Sequence, residues 1–364
     1  MCPDFSVSPM IVIWEATRSC DLACKHCRAE AQPEAVPGEL TDHEARAMID
    51  RVHSAFGTPL FVITGGDPLK RSGLAGMVTH AASLGLEVGL TPSATPLLTP
   101  EAVDRLHAAG LRRLAISIDG ADAATHDEFR GVPGTFARSI AILEHARARG
   151  LEIQINSSIG THNRHQLHDL AALARFLGVS LWSVFVMVPT GRAGANLVPT
   201  AVEHERTYRD LAAIALDPAN SIVIKTTAGQ PYYRVLEQER RRRGVAPAAR
   251  RGLGVNDGNG FLFIDHCGVI CPSGFLPLPC GNVRQVDLAT VYRTHPTFTS
   301  LRTPEQFAGK CGRCSFQRIC GGSRSRTYAL TGDACGSDPT CVYEPPLSRI
   351  SRVAPADLCV ADRP

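Results

Sequence analysis

The sequence predicts an α/β protein, a partial barrel of six β/α units that runs into a cysteine-rich C-terminal extension. Two observations carry this. Between residues 11 and 188, short apolar β-branched runs alternate with longer helix-like stretches. The repeat is roughly 25–35 residues, the period of parallel strands joined by helical crossovers. The thirteen cysteines are also sorted along the chain: Cys20, Cys24 and Cys27 stand together, nine more lie from Cys267 onward, and none falls between residues 28 and 266.

The strand candidates are 11–14, 60–64, 87–91, 113–118, 152–157 and 182–188, and the helix candidates 42–56, 74–84, 100–109, 136–149 and 166–177. Thr41 or Asp42 can cap the first helix, and Gly110 and Gly150 stand just past helix ends, where a left-handed residue is wanted. Six units fall short of the eight that close a full barrel, so the expected core (1–194) is open. Residues 195–254 read as a connecting segment with a helix-like stretch (202–215), a short apolar strand (221–225) and the run Arg240 to Arg243, the solvated end of a helix. From 255 to 346 the chain is rich in Gly, Pro and Cys and cannot bury much apolar core, so metal ligation would have to organise it. The tail 347–364 is expected to be loosely ordered.

Composition excludes several classes. Hydrophobic residues make up 44% and charged residues 20%, as in an ordinary globular protein, and a net charge of +3 is too small to argue for nucleic-acid or membrane partners. No basic segment followed by an apolar stretch opens the chain and no run of 18 apolar residues occurs, so a cytoplasmic protein is expected. In a reducing compartment an odd number of clustered cysteines points to metal ligands rather than disulfides.

Cys20-Asp21-Leu22-Ala23-Cys24-Lys25-His26-Cys27 has the form CxxxCxxC and follows the first strand. Three thiolates in a tight loop can hold three irons of a cubane and leave the fourth open, as a catalytic centre requires. A structural zinc site is the alternative, with His26 as fourth ligand, but Cys27 beside it leaves little room for both to reach one ion. The stretch 14–31 resembles the radical S-adenosylmethionine (SAM) superfamily. The resemblance implies a TIM-like partial barrel and a 4Fe-4S cluster on Cys20, Cys24 and Cys27. SAM would bind the open iron and be cleaved to a 5′-deoxyadenosyl radical.

The strand ends carry further motifs. Thr64-Gly65-Gly66-Asp67-Pro68 ends the second strand, where glycines let backbone approach a ligand. It resembles the superfamily's GGEP motif, which contacts the SAM amino group, with Asp67 in place of the glutamate. Ser93 ends the third strand and resembles a residue near the SAM carboxylate or sulfonium. Ser117 and Asp119 share one side of the fourth by alternation, and they resemble an SxDG pattern that meets the ribose. Asn156 and Ser158 end the fifth, and the segment Val188-Pro189-Thr190-Gly191-Arg192 looks like the adenine contact. His26 is expected to offer its backbone to adenine.

Cys311-Gly312-Arg313-Cys314, then Cys320 and Cys341, resemble the SPASM extension of many radical SAM enzymes. That resemblance implies one fully ligated auxiliary 4Fe-4S cluster; a four-cysteine zinc ribbon is the alternative. A second auxiliary cluster lacks its pattern: Gly321-Gly322-Ser323-Arg324 follows Cys320, and Ser273 stands where relatives often carry cysteine. Cys267, Cys271 and Cys280 do not restore it, and Cys2, Cys335 and Cys359 are not expected to be ligands. The segments 13–18, 27–31, 281–284 and 320–324 are closest to the heme-biosynthesis branch. This implies oxidative decarboxylation or a related modification of a tetrapyrrole-like carboxylate, with Arg192, Arg324 and Arg326 as candidate carboxylate binders. A low-potential donor such as flavodoxin or ferredoxin would supply electrons. Peptide modification, weakened because only 19 residues precede Cys20, and tailoring of a small metabolite such as a sugar acid are the alternatives.

Overall fold

The computed structural model describes residues 4–246 and 254–346. Cys2, Cys359 and the expected tail 347–364 lie outside the described residues. The strands are β1 (Ile11–Glu15), β2 (Leu60–Thr64), β3 (Val88–Leu90), β4 (Arg113–Ser117), β5 (Glu152–Ile159), β6 (Leu181–Val186), β7 (Val223–Thr227), β8 (Phe261–Ile264) and β9 (Ile270–Cys271). They form one sheet in the order β7-β6-β5-β4-β3-β2-β1-β8-β9, parallel except for the β8–β9 pair. The six expected units are present, and the sheet continues past them on both sides. The apolar run in the connecting segment becomes β7, and the extension contributes β8 against β1, with Trp14 opposite Ile264.

The alternation of each strand explains the layering. Val12, Trp14, Phe61, Ile63, Leu114, Ile116, Trp182 and Val184 face outward and are buried under the helices in one continuous core. Each such side chain contributes about 1.5–3 kcal/mol by leaving water. Those helices start where the sequence supplies caps: Thr41 and Glu44 form a capping box on Asp42–Phe56, and Thr200 with Glu203 forms another on Ala201–Ala215. The helix Ala123–Arg130, capped by Asp122, was not among the expected elements, because its short mixed sequence lacks a clear apolar stripe. The arginine run does end a helix, Pro231–Arg242, and pairs with Glu237 and Glu239 on it.

The inner face has the opposite composition. Register sets Asn156, Ser183 and Lys225 side by side on β5, β6 and β7, while Glu15 and Phe263 stand on β1 and β8. The Lys225 ammonium lies 5.4 Å from the ring centre of Phe261, so β7 and β8 approach each other across the inside of the curled sheet. Polar groups on an inward face of a parallel barrel need a ligand or water to satisfy them, and this face is where function is to be sought.

Candidate active site

Residues 16–32 after β1 form a loop pinned from several strand ends. Gly66 N–H donates to Thr17 O and Asp67 N–H to Ser19 O, both at 2.7 Å; Lys25 N–H reaches Phe129 O and Arg192 N–H reaches Cys27 O, both at 3.0 Å. Glycines make this packing possible, Gly66 and Gly191 most closely. A Cβ on Gly66 would lie 2.5 Å from Ser19 O, and one on Gly191 would lie 2.4 Å from Cys27 O and 2.6 Å from Arg28 O. Gly191 also has φ +58°, which a side chain resists. Gly191→Ala should therefore cost about 2–4 kcal/mol in chemical unfolding, as the sum of strain and overpacking. Gly150→Ala, at φ +78° with nothing within 4 Å of its Cβ, should cost only about 1 kcal/mol. Equal losses in the two variants would show that the close approach to the loop carries no energy.

The loop brings Cys20, Cys24 and Cys27 together as free thiols. Each has a donor for the charge of a thiolate: Leu22 N–H on Cys20 at 3.4 Å, Ala31 N–H on Cys27 at 3.3 Å, and Arg130 Nη1 3.8 Å from Cys24. Burial raises the pKa of Cys20 and Cys24, and Arg130 opposes this at Cys24. Thiols pushed toward the neutral form but supplied with N–H donors suit iron, which displaces the proton and leaves the donors to hold the sulfur charge.

The expected SAM-contacting loops surround these thiols, but several of their side chains are committed to one another. Asp67 is buried, accepting from Thr95 Oγ1 at 2.7 Å, Leu69 N–H at 3.2 Å and Ser93 N–H at 3.4 Å, and burial raises its pKa. Ser93 Oγ donates to Gly66 O at 2.7 Å and lies 3.4 Å from Cys20 Sγ. Pro68 opens the short turn that follows. Ser117 is half-buried on the inner face, and Asn156 accepts from Gln154 Nε2 at 2.6 Å.

Asp119, expected at the ribose, is engaged by protein groups. It is fully buried, receives Ser158 N–H at 2.7 Å, and places Oδ2 2.5 Å from Arg130 Nη2 and 4.0 Å from His26 Nε2. Burial pushes its carboxyl pKa up, but Arg130 outweighs this and holds it at about 2. The His26 ring stacks on Phe129 with centroids 4.2 Å apart, and Phe129 stacks on His162 at 3.7 Å. Burial holds His26 neutral, with a pKa of about 3, though Asp119 pulls the other way. Val188 is buried beneath the turn that carries Gly191.

The arginines proposed for carboxylates are corrected by the structure. Arg192 spends its guanidinium on the cluster loop, with Nε to Cys24 O at 3.0 Å and Nη1 to Ala31 O at 2.8 Å. Arg324 and Arg326 have no exposed surface. Arg326 meets Asp338 at 3.1 Å and Ala228 O at 2.6 Å; Arg324 binds Ala334 O and Gly336 O and lies 3.5 Å from Cys311 Sγ. Buried guanidinium groups must be saturated by the protein, so the Arg324 and Arg326 forks are not left for a substrate, while Arg192, exposed, has two of its nitrogens on the loop.

Cys311, Cys314, Cys320 and Cys341 line one cavity with Arg234, Lys310 and Tyr343. Every thiol again has an amide donor: Asp338 N–H for Cys311, Phe316 N–H for Cys314, Gly322 N–H for Cys320 and the backbone of Tyr343 for Cys341. Four thiols around a cavity, each with its own donor, form a donor set that fits a fully ligated cluster. Cys335 is not in that lining. Cys271 and Cys280 are buried elsewhere, and burial raises their pKa values to about 12 and about 11.

Four side chains that the motifs did not single out as site residues line the inner face. Glu15, buried, pairs with Arg28 (Nη2–Oε2, 2.5 Å) and His266 (Nδ1–Oε1, 2.8 Å). Burial acts to raise its pKa, but Arg28 and then His266 prevail and lower it. The Arg28 guanidinium lies 4.9 Å from the Phe263 ring centre and 5.9 Å from that of Phe275, which is 6.0 Å from Phe185. Among the described residues no carboxylate pairs with Lys225, and burial, then Arg113, lowers its pKa to about 8. A lone lysine on the inward side of a short strand was the available signal for Lys225. Nothing in sequence joins residue 15 to residue 266.

The sequence profile described as "Radical SAM superfamily" matches residues 14–177. An AdoMet-dependent heme synthase of Nitratidesulfovibrio vulgaris is 40% identical over 94% of this chain and 94% of its own length. A pre-heme d1 synthase of Dinoroseobacter shibae is 31% identical over 91% of this chain and 85% of its own length. Streptococcus suis SuiB bound to S-adenosylmethionine shares the fold, with a TM-score of 0.71 at 16% identity over 93% of this chain and 78% of that one. With its thiol loop after β1 and the glycine turns that close on it, the chain belongs to the radical SAM superfamily, in the heme-synthase-like branch, and is an iron–sulfur enzyme that uses a 4Fe-4S cluster and SAM.

Proposed function

We propose that this enzyme oxidatively decarboxylates, or modifies in a related way, a propionate-type side chain of an iron tetrapyrrole. Cys20, Cys24 and Cys27 hold the SAM-cleaving cluster, and Cys311, Cys314, Cys320 and Cys341 hold one auxiliary 4Fe-4S cluster. The core 1–194, the connecting segment 195–254 and the extension 255–346 act as one catalytic body in the cytoplasm, fed by a low-potential donor of the flavodoxin or ferredoxin kind. The observation that carries the reading is the inner face. Phe185, Phe263 and Phe275 offer flat apolar area, and Lys225 offers a half-buried cation that no carboxylate pairs with among the described residues. A planar macrocycle edged with carboxylates needs that combination. The relatives named above as heme and pre-heme d1 synthases support the same substrate class.

When bound, the cluster and SAM supply a 5′-deoxyadenosyl radical. The chain's residues then hold the side chain so that one hydrogen leaves the carbon β to the carboxylate. That hydrogen would pass to the 5′-deoxyadenosyl radical to give 5′-deoxyadenosine, the carbon–carboxylate bond would break to release carbon dioxide, and one electron would pass to the auxiliary cluster held by Cys311, Cys314, Cys320 and Cys341, leaving a vinyl group. The ring stack His26–Phe129–His162 and the clamp of Arg192 on the thiol loop keep that loop rigid and exclude water from it.

The test is an anaerobic assay of the reconstituted enzyme with dithionite, SAM and iron-coproporphyrin. A porphyrin product lighter by carbon dioxide and hydrogen, formed with 5′-deoxyadenosine, is expected. Deoxyadenosine with unchanged porphyrin, under conditions where a peptide or sugar acid is consumed, would reject the tetrapyrrole reading.

Lys225→Met should raise the KM for the porphyrin about tenfold or more, the loss of one charge-assisted contact. It should also raise the thermal midpoint at pH 7. Because the folded pKa of Lys225 lies below its ordinary value, its charge opposes folding at low pH, and wild-type stability recovers as pH rises from about 8 toward 10. The variant's advantage should therefore shrink between pH 7 and pH 9 in thermal unfolding. An unchanged KM would remove Lys225 from the substrate site.

A further inference from the structure

Glu15, His266 and Arg28 form a fixed triad at the C-terminal end of β1, where the thiol loop begins. Glu15 gives one oxygen to Arg28 and the other to His266 Nδ1. A buried carboxylate held as an anion by a guanidinium can only accept, so the proton lies on His266 Nδ1. In the neutral ring the lone pair is then on Nε2. Among the described residues no group bonds Nε2, and it is not among the side-chain nitrogens sealed from solvent. The ring's position is set further by the backbone: Leu40 N–H binds His266 O at 2.7 Å, and Asp265 turns back on Val269 N–H at 2.7 Å.

An imidazole with one N–H on a carboxylate and the other nitrogen open is the arrangement of a metal ligand whose orientation and basicity are set by its partner. The Arg28 arm of the triad lies against Phe263, on the strand that His266 follows, and against Phe275. Arg28 directly follows Cys27 in sequence, so a metal bound at His266 would sit on the thiol-loop side of the inner face.

We propose that His266 Nε2 is an axial ligand to the iron of the substrate, with Glu15 as its positioning residue. This rests on the iron-tetrapyrrole reading of the substrate. The iron–nitrogen bond orients the macrocycle face-on to His266, with its rim toward the aromatic wall and Lys225. It also makes the enzyme select iron-loaded over metal-free macrocycle, because only the former gains the bond.

The experiment is an anaerobic titration of reconstituted holoenzyme with ferric coproporphyrin and, separately, metal-free coproporphyrin, followed by absorbance and low-temperature EPR of the porphyrin iron. Wild type is expected to give the spectrum of nitrogen-ligated iron. His266→Ala is expected to lose that spectrum and bind the iron form at least about tenfold more weakly. It should bind the metal-free form as wild type does, and added imidazole should restore the lost spectrum. Electron–nuclear double resonance on the wild type, detecting the ligating nitrogen directly, keeps the test independent of how the variant folds. Identical iron spectra in wild type and His266→Ala, or no ligand nitrogen in the wild type while the porphyrin is still converted, would overturn the ligation and leave the substrate reading standing. Failure of wild type to bind either porphyrin would overturn both.

Discussion

Cys24→Ala should yield a folded chain that makes no 5′-deoxyadenosine from SAM. Cys24 lies at the centre of the loop, buried, with Arg130 Nη1 3.8 Å from its sulfur and Arg192 Nε on its carbonyl. Removing one of three thiolates leaves two irons' worth of protein ligation, too few for a cubane with one open iron. The iron count of reconstituted protein should fall by about four, with the remainder held at the other thiol group. Cys320→Ala should have the complementary effect: its thiol lies in the cavity of Cys311, Cys314 and Cys341, and its loss should remove the other irons while SAM cleavage is retained. Iron quantitation and a deoxyadenosine assay on both variants check the assignment. Full cleavage activity in Cys24→Ala would refute it.

Arg130→Leu should destabilise the protein by about 3–5 kcal/mol, the cost of leaving a buried carboxylate without its partner. Asp119 has no exposed surface, and among the described residues Arg130 is the one cation at ion-pair distance whose charge does not depend on pH. In the wild type the Asp119 carboxyl, held at about 2 against an ordinary value of about 3.9, stays ionised throughout pH 5–8, and its contribution is constant there. Without Arg130, burial is opposed only by the smaller pulls of His26, His126 and Ser158 N–H and should raise that pKa above the unfolded value. A carboxyl with a raised folded pKa loses stability as pH rises through it, so the variant should be worst at pH 8 and recover toward pH 5. Asp119→Asn in the same chain should restore at least about 1 kcal/mol at pH 8, since the orphaned charge is then gone. Unfolding midpoints of the three variants at both pH values measure this. A pH-independent loss, or no rescue by Asp119→Asn, would mean that Arg130 acts through packing alone.

Both predictions concern groups that differ in how far the sequence revealed them. CxxxCxxC is local: eight consecutive residues place three thiols in one loop whatever the rest of the chain does. Strand periodicity was equally local, and β2 and the helix Asp42–Phe56 have the bounds expected from pattern and caps. The glycine turns were legible as turns. That Gly66 and Gly191 close on the thiol loop from two different strands depends on how the sheet curls, which no local pattern encodes.

The arginines show the limit most clearly. A guanidinium in a sequence carries no mark of whether it will face a ligand or a buried carbonyl. Arg192, Arg324 and Arg326 looked available, yet the fold surrounds Arg324 and Arg326 with acceptors and ties Arg192 to two carbonyls of the thiol loop; Arg28 gave no comparable signal. The sequence by itself determined the fold class, the thiol loop and the four-cysteine set, because alternation, capping and short-range spacing act within a few turns of chain. The tertiary structure alone decided which charges pair: Glu15 with His266 across 251 residues, Asp119 with Arg130 on an unforeseen helix, and Lys225, among the described residues, with no carboxylate. Electrostatic partnership falls off with distance in space rather than along the chain, and a buried charge takes its character from whatever the fold sets within about 4 Å of it.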